Sequence, residues 1–385
     1  MTRFLIASLL LGAVPAAAGT VSFEFAPVGN AGNAADPETG FGAVSYNYAI
    51  SKTEVTNAQY KTFLNAVAAT DSFGGPDPTL YNTLMSSAAR GGIIRSGNQG
   101  SYTYATKPNM DNKPVTFVSF FDAMRFANWL HNGQGGGGTE TGAYTIGNGL
   151  NEVRSASARF WIPSEDEWYK AAYHDATAGM AAKYFDYAVG SDSVPTIATA
   201  NRVGDISNSG AGVVNYLGGS DWNFQNGNVT TVGSAGAASA SPYGTFDQNG
   251  NVFEWNEAVM HFPGRGFRGG AWFHRSEALR ADDRSGGEPT FERDYVGFRV
   301  AAVSTAFGDF NADRTVDLLD LDILGANFGG PGGRTTGDAN GDGAVDLRDL
   351  DILGANFGTT SAAAIPEPTT LALALLAATA GVRRR

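Results

Sequence analysis

The nine-residue stretch Asp247–Trp255, which reads DQNGNVFEW, constrains the fold more than any other part of this chain. Its centre, Asn249–Gly250, predicts a tight turn, because Asn and Gly adopt positive φ at low cost. The apolar residues at 252–255 predict a strand that starts directly after the turn. Asp247 and Glu254 flank the turn, so both carboxylates and the turn carbonyls could converge on one calcium ion. The same spacing also fits a hairpin whose acids face water.

Five further blocks accompany this stretch in order. They are YAISKTEVTNAQYKTFLNAV (48–67), KPVTFVSFFDAMRFANWL (113–130), FWIPSEDEWYKAAY (160–173), FRGGAWFHRSEALRADDRS (267–285) and VGFRVA (296–301). With DQNGNVFEW, they resemble the formylglycine-generating-enzyme (sulfatase-modifying-factor) family over about residues 40–303. The resemblance implies an α+β fold, an irregular domain related to C-type lectins. It also implies a calcium site formed by Asp247, Gly250, Val252 and Glu254, with Asn201 in a looser match.

Three helices are predicted from the residues that start them. Each start pairs a hydroxyl N-cap with an acid or amide three residues later: Thr56 with Gln59, Ser119 with Asp122, and Ser164 with Glu167. This pairing is typical of a capping box. Apolar residues then recur at helical spacing in the first two segments, which predicts helices laid against a core. The long Gly-rich and Asn-rich stretches at 132–151 and 204–241 are interpreted as surface loops.

The chain has no cysteine. The best-known activity of the family that it resembles oxidises a sulfatase Cys to formylglycine with copper held by two Cys. The corresponding block, 271–280, offers none, so we expect no copper. His274 and Glu277 in this block could bind a metal but are expected to make structural hydrogen bonds. We also expect four arginines to hold the C-terminal strands in place through hydrogen bonds: Arg268, Arg280, Arg284 and Arg299.

A duplication follows the large domain. DLDILGANFG occurs at 320–329 and again at 349–358, 29 residues later. An acidic loop precedes each copy, with oxygen donors at the spacing of an EF-hand calcium loop. The first loop contains Asp309, Asn311, Asp313, Thr315, Asp317 and Asp320, and the second contains Asp338, Asn340, Asp342, Ala344, Asp346 and Asp349. The alternative interpretation is a solvated acidic linker.

This repeat resembles the dockerin family, an all-α pair of loop–helix units that uses Asp at the last loop position. The resemblance implies a cohesin-like partner, although Leu318–Leu319 and Leu347–Arg348 depart from the Ser/Thr pair common at those positions in cellulosomal dockerins. The first loop carries Arg314 where the second has Gly343. A sharp turn at this position favours Gly, so we expect the second loop to bind calcium more tightly.

Both ends of the chain resemble export signals. Arg3, an apolar run and Ala16–Ala18 predict a signal peptide cut after Ala18. At the other end, Pro366, Glu367 and Pro368 precede a short apolar run and three arginines. This arrangement resembles a PEP-CTERM sorting tag, which implies processing by an exosortase-type enzyme at the membrane. An ordinary tail anchor is the alternative. The predicted location is the cell surface or the extracellular matrix, after transient membrane anchoring.

The sequence therefore predicts four segments: a signal peptide (1–18), the sulfatase-modifying-factor-like domain (19–305), the dockerin-like repeat (306–358) and a sorting signal with a short transmembrane segment (359–385). A net charge of −12 argues against a nucleic-acid partner. The favoured function is binding of a glycan or a matrix component by a non-catalytic domain. The alternatives are a modifying oxidoreductase of the formylglycine-generating type and a dockerin-borne component that degrades polysaccharide.

Overall fold

The computed structural model describes residues 19–303, 308–311, 315–339 and 344–358. The predicted signal peptide and sorting motif lie outside the described residues, as do three of the predicted calcium ligands, Asp313, Asn340 and Asp342. The helices are α1 Asn57–Val67, α2 Leu84–Ser87, α3 Phe120–His131, α4 Glu165–Tyr173, α5 Leu318–Asn327 and α6 Leu347–Asn356. The strands are β1 Phe25–Val28, β2 Tyr48–Ser51, β3 Ile93–Ser96, β4 Thr103–Thr106, β5 Phe160–Trp161, β6 Thr196–Ile197, β7 Val213–Val214, β8 Phe253–Val259, β9 Arg265–Arg268, β10 Ser285–Gly287, β11 Val296–Gly297 and β12 Ala301–Val303.

The three predicted helix starts are confirmed. Thr56, Ser119 and Ser164 cap α1, α3 and α4, and each forms the reciprocal capping box that the sequence predicts. These bonds satisfy backbone N–H groups that the first turn of a helix leaves without intrahelical partners. The residues at which α1, α3 and α4 begin are therefore determined by side chains close to them in the sequence.

Two four-stranded sheets organise the large domain. One has the order β1-β2-β12-β5 and is antiparallel throughout, so it joins the first strand of the domain to its last. The other has the order β10-β9-β8-β11, in which β8 pairs antiparallel with β9 and parallel with β11. The strand predicted after the Asn249–Gly250 turn is confirmed as β8. The mixture of helices and irregular short strands agrees with the expected α+β fold.

An aromatic core lies between α1, α3 and the strands. Phe126 on α3 contacts Phe63 on α1 and Phe298, with ring centroids 5.3 and 5.4 Å apart. Trp129 and Trp255 are likewise buried in this core. Aromatic side chains of this size bring most of the apolar surface out of water, which stabilises the domain although it has no disulfide. The prediction that α1 and α3 lie against a core is confirmed.

The repeat forms two similar loop–helix units within the described residues. Asp317 caps α5 and Asp346 caps α6. Leu324 and Leu353, at equivalent positions of the duplicated sequence, are buried in a small core of their own. No helix among the described residues is both long and apolar enough to cross a bilayer. The dockerin assignment and the segment boundaries remain predictions.

Candidate functional site

The Asn249–Gly250 turn lies close to a buried ion pair between Glu254 and Arg299. Glu254 on β8 accepts hydrogen bonds from Arg299 Nη2 and from Trp168 Nε1, both at 2.7 Å. Arg299 also donates to the carbonyls of Ser51 and Phe246, at 2.9 and 2.8 Å. Glu254 and Arg299 are both fully buried. The contacts of Arg299 therefore tie β2, β8 and the C-terminal strand region together.

The other arginines expected to pin this region do so. Arg268 donates to a Glu165 oxygen at 2.7 Å and to the carbonyl of Ala281. Arg284 meets the same carboxylate in a two-oxygen contact. Arg280 pairs with Asp186 at 2.9 Å. These contacts confirm the predicted structural role of the arginines.

Two further acids lie beside Arg299. Asp247 accepts a hydrogen bond from the Gly233 amide at 2.5 Å, and burial raises its pKa to about 6. Glu54 is fully buried; one of its oxygens accepts from Asn251 Nδ2 at 3.0 Å, and the other has no hydrogen-bond partner among the described residues. Burial first, then the charges of Asp247 and Glu254, raise the pKa of Glu54 well above its usual range. One arginine thus faces three carboxylates, and Glu54 and Asp247 are protonated more readily than ordinary acids.

The backbone of the turn takes the shape that the sequence predicts. Gly250 has φ +76°, and an added Cβ would lie 2.2 Å from the carbonyl oxygen of Asn215. Asp247 also adopts a left-handed backbone, with φ +60°. This conformation costs a non-glycine residue roughly 1–3 kcal/mol. The close approach at Gly250 explains why glycine stands there.

The residues predicted to bind calcium in the large domain do not all meet. Asn201 lies on an exposed loop, where its side-chain oxygen accepts from the amides of Val203 and Asp205. Among the described residues, no three acid or imidazole side chains form a group suited to a metal ion. Asp247 and Glu254 have protein partners instead, and Gly250 and Val252 lie in the turn between them. Calcium at this turn remains a prediction.

His274 makes different contacts from those expected. Its Nδ1 is buried without a hydrogen-bond partner in the part of the chain that the structure describes. The ring instead lies against Phe273 and Phe253, with centroids 4.0 and 4.7 Å away. Burial lowers the pKa of His274. The nearby Glu277 contacts Ser276 rather than His274. The expected structural hydrogen bonds of the imidazole are therefore replaced by aromatic packing.

Apolar side chains lie on the loops near His274. We call them together the aromatic face and define it by Leu217, Phe224, Trp272, Phe273 and Tyr295, of which Phe224 projects into solvent and Trp272 is buried. The amide of Leu217 donates to the His274 carbonyl at 2.8 Å, so the two segments run side by side. Phe273 lies 5.1 Å from Tyr295 between ring centroids. The aromatic face is thus assembled from three separate loops of the second half of the domain.

Two members of the aromatic face combine exposure with backbone strain. Phe224 is fully exposed and has φ +59°, and Leu217 is 49% exposed and has φ +55°. A left-handed backbone is a genuine outlier for bulky side chains. Strained residues of this kind cluster at ligand sites, and exposed apolar patches mark interaction surfaces. The geometry therefore favours the aromatic face as the place where a ligand binds.

Arg90 holds the Phe224 loop in place. Its guanidinium lies 3.8 Å above the Trp272 ring. Its Nε and Nη2 donate to the Gly227 carbonyl at 3.1 and 2.8 Å, and its Nη1 pairs with Asp294 at 3.3 Å. One side chain thereby joins the loop at 221–227, Trp272 and the segment that ends at Tyr295. A cation over an aromatic ring adds roughly 0.5–2 kcal/mol, depending on exposure.

Trp272 and Phe273 lie in the block at 267–285, but no sequence pattern predicts that the other residues of the aromatic face join them. Leu217 and Phe224 fall in the stretch 204–241, which composition places on the surface. A Phe among Asn, Gln and Gly, as in WNFQNGN, is unusual for a solvated loop and could have marked the site. Arg90 and Tyr295 come from other loops, and only the fold brings them together.

The described part of the repeat places its last acids at the helix starts. Asp320 accepts from the amides of Phe310 and Asp317, at 2.7 and 2.9 Å. Asp349 accepts from the amides of Ala339 and Asp346, both at 2.8 Å. The first described donors of each loop, Asp309 and Asp338, are both largely buried. The final acid of each loop therefore accepts a hydrogen bond from an amide near the start of that loop. Calcium binding by these loops remains a prediction.

One family model and several solved structures are similar to this chain. A family model described as "Sulfatase-modifying factor enzyme 1-like domain" matches residues 16–303. No curated protein gives a significant match. Among solved structures, that of CarF is similar, at 20% identity over 73% of this chain and 98% of that chain, with a TM-score of 0.45. PvdO from Pseudomonas aeruginosa is similar at 18% identity over 69% of this chain and 82% of that chain, with a TM-score of 0.37.

A third solved structure is similar over a shorter part of this chain. A type II cohesin–dockerin domain from Bacteroides cellolosolvens is 36% identical over 14% of this chain and 85% of that chain, with a TM-score of 0.13.

Proposed function

The chain belongs to the sulfatase-modifying factor enzyme 1-like family, and we propose that its large domain is a binding module whose ligand is a glycan or an extracellular-matrix component. The observation that carries this proposal is the aromatic face, where Phe224 and Leu217 are exposed in left-handed backbone. Phe273, 39% exposed, supplies a further ring. Flat aromatic rings bind the apolar C–H faces of sugar rings, and the polar rim can hydrogen-bond hydroxyl groups.

Two observations favour binding over oxidation. The chain has no Cys, so the thiolate pair on which formylglycine formation depends is missing. His274, beside the aromatic face, packs against Phe253 and Phe273, and within the described residues no acid or base is hydrogen-bonded to its buried Nδ1. A nucleophile or general base needs such a partner to be activated and oriented. A modifying enzyme of the formylglycine-generating type is the alternative, and aldehyde formation in a sulfatase-type peptide with copper and oxygen would establish it.

The proposal extends to the rest of the chain. Export, sorting by an exosortase-type enzyme and display at the cell surface would bring the aromatic face to extracellular polysaccharide. The repeat would bind two calcium ions and dock a cohesin-like partner through Leu318, Leu319 and Leu347, which are all more than half exposed. A dockerin-borne component that degrades polysaccharide is the other alternative, and release of reducing sugars would reveal it.

Retention of residues 19–358 on immobilised exopolysaccharide, first with calcium and then with a chelator, tests the proposal. We expect retention in both conditions, because every residue of the aromatic face lies in the large domain and outside the repeat. Retention that disappears with the chelator would move the binding site to a calcium-dependent element. Absence of retention in both conditions would contradict a glycan-binding role.

A further inference from the structure

Four Asn–Gly pairs lie in the described residues, and such a pair is able to close a succinimide ring. They are Asn132–Gly133, Asn148–Gly149, Asn226–Gly227 and Asn249–Gly250. Glycine has no side chain, so its amide nitrogen can approach the side-chain carbonyl carbon of the asparagine before it. All four glycines have positive φ and donate their N–H group to an acceptor. The four pairs therefore differ mainly in how the asparagine side chain is held.

Hydrogen bonds to the main chain fix three of the four asparagine side chains. Asn132 Nδ2 donates to two backbone carbonyls, the nearer at 2.9 Å. Asn148 Oδ1 accepts from two backbone amides, the nearer at 3.0 Å. Asn249 is buried, and its Nδ2 donates to the Leu279 carbonyl at 2.6 Å while its Oδ1 accepts from the Ala188 amide at 2.7 Å. Breaking these bonds costs free energy before Cγ can turn toward the glycine nitrogen.

Asn226 is held differently from the other three. It is exposed, and its side chain makes no hydrogen bond within the described residues. The Asn226–Gly227 pair ends the Phe224 loop, where both backbone carbonyls accept hydrogen bonds from Arg90 Nη2. The Gly227 amide donates to Asp221 Oδ1 at 2.6 Å. A general base needs about 2.6–3.2 Å between its heavy atom and the one that loses the proton, so Asp221 is placed to take the proton of the Gly227 nitrogen.

We propose that Asn226 is a site of spontaneous deamidation, for which water is the only co-reactant. The Gly227 nitrogen forms a bond to Asn226 Cγ while the Asp221 carboxylate takes its proton, as an adjacent base does for other weak nucleophiles. The bond between Cγ and Nδ2 then breaks, and ammonia leaves with that proton. Water opens the succinimide at Cγ to give aspartate at position 226. Opening at the backbone carbonyl carbon instead gives isoaspartate, in which the main chain runs through Cβ.

The isoaspartate product does not fit the native loop. A Cβ added at Gly227 would lie 2.8 Å from Gly218 Cα and 2.9 Å from the Trp272 ring, so the main chain has little room to move here. One extra main-chain atom before Gly227 therefore displaces the carbonyls that Arg90 holds, and the Phe224 loop is released. The resulting loss of binding at the aromatic face rests on the proposed function, and the deamidation itself does not.

Peptide mapping of the full chain during incubation at neutral pH tests the site, with the mass gain of an amide that becomes an acid as the readout. Asn148 is the matched control within the chain, because it is also exposed and also precedes a buried glycine. In the folded protein, Asn226 should convert roughly tenfold faster than Asn148, whose two hydrogen bonds must break first. In the urea-unfolded chain both should convert at similar rates, because the fold no longer holds either side chain.

Two variants make the test sharper. Asp221→Asn keeps an acceptor for the Gly227 amide but removes the base, so conversion at Asn226 should slow severalfold while Asn148 is unaffected. Asn226→Gln should keep its retention on exopolysaccharide after an incubation that lowers the retention of the native protein. Conversion at Asn226 no faster than at Asn148 in the folded chain would overturn the proposal. Selective conversion at Asn226 in a protein that retains no exopolysaccharide before or after incubation would contradict the binding function and leave the deamidation site standing.

Discussion

Arg299 bonds to three separate segments of the large domain. It is fully buried, and it faces Glu254 directly while Glu54 and Asp247 lie nearby. We expect Arg299→Ala to lower the free energy of unfolding by about 3–5 kcal/mol, because removal of one partner leaves a buried charge uncompensated. Urea denaturation monitored by tryptophan fluorescence measures this loss.

Arg284→Ala provides the comparison. Arg284 also pairs with a carboxylate, that of Glu165, but its side chain is 31% exposed. Its loss should cost less than about 1 kcal/mol, as is typical of ion pairs that water can reach. Equal losses in the two variants would contradict the central role of Arg299.

Asp247 makes the stability of the domain depend on pH. Its pKa is raised to about 6 in the folded chain, chiefly by burial, so the folded state binds a proton more tightly than the unfolded state. The stability associated with this proton is fully present below the ordinary pKa of an aspartate and is lost as the pH rises through about 6. Asp247→Asn should therefore raise stability relative to the native chain at pH 7.5, on the order of 2 kcal/mol, and little at pH 4.

Thermal unfolding at a series of pH values checks this prediction. Glu38→Gln, which changes an exposed acid, is the matched control and should follow the native profile. Bound calcium at the turn would reverse the sign, because Asp247→Asn would then remove a ligand and destabilise the domain at neutral pH. The experiment thus also tests the calcium prediction.

At the scale of elements, the sequence predicts what is decided locally. The starts of α1, α3 and α4 follow from capping boxes, and the start of β8 follows from the turn at Gly250. Glu54 was missed because its burial depends on strands far away in sequence. The aromatic face was missed for the same reason, since Arg90, Phe224 and Tyr295 lie on loops that only the tertiary fold brings together. The packing of His274 against Phe253 could not be predicted from sequence neighbours either, because the two residues are 21 positions apart.

The two loops of the repeat should differ in their affinity for calcium. Arg314 in the first loop stands where the second has Gly343, so the second loop should bind roughly tenfold more tightly. Asp320→Asn and Asp349→Asn each disable one loop by changing the equivalent final acid. Titration calorimetry should measure tighter calcium binding in the Asp320→Asn variant, which keeps the second loop, than in the Asp349→Asn variant, which keeps the first. A tighter site in Asp349→Asn would contradict the prediction, and no heat in the native chain would favour an acidic linker.

For the whole molecule, a well-packed core supports loops that carry the aromatic face. The aromatic core and the buried arginines hold the strands in place. Arg90 holds the loop at 221–227 through its hydrogen bonds to the Gly227 carbonyl. Family membership establishes the fold, whereas the function must be argued from the site that this chain has built on it. The proposal of recognition rather than oxidation rests on the sequence without Cys and on the exposure of Phe224.

The central claim is that the aromatic face binds the ligand, and affinity electrophoresis through exopolysaccharide tests it most directly. Phe224→Ala and Phe273→Ala should each weaken binding roughly tenfold, since each removes a ring worth about 1–2 kcal/mol at an interface. Val194→Ala, which changes an exposed apolar residue outside the aromatic face, should not alter the mobility. Retardation of the native chain that each Phe variant clearly reduces is the predicted result. Retardation unchanged in both Phe variants would contradict the claim.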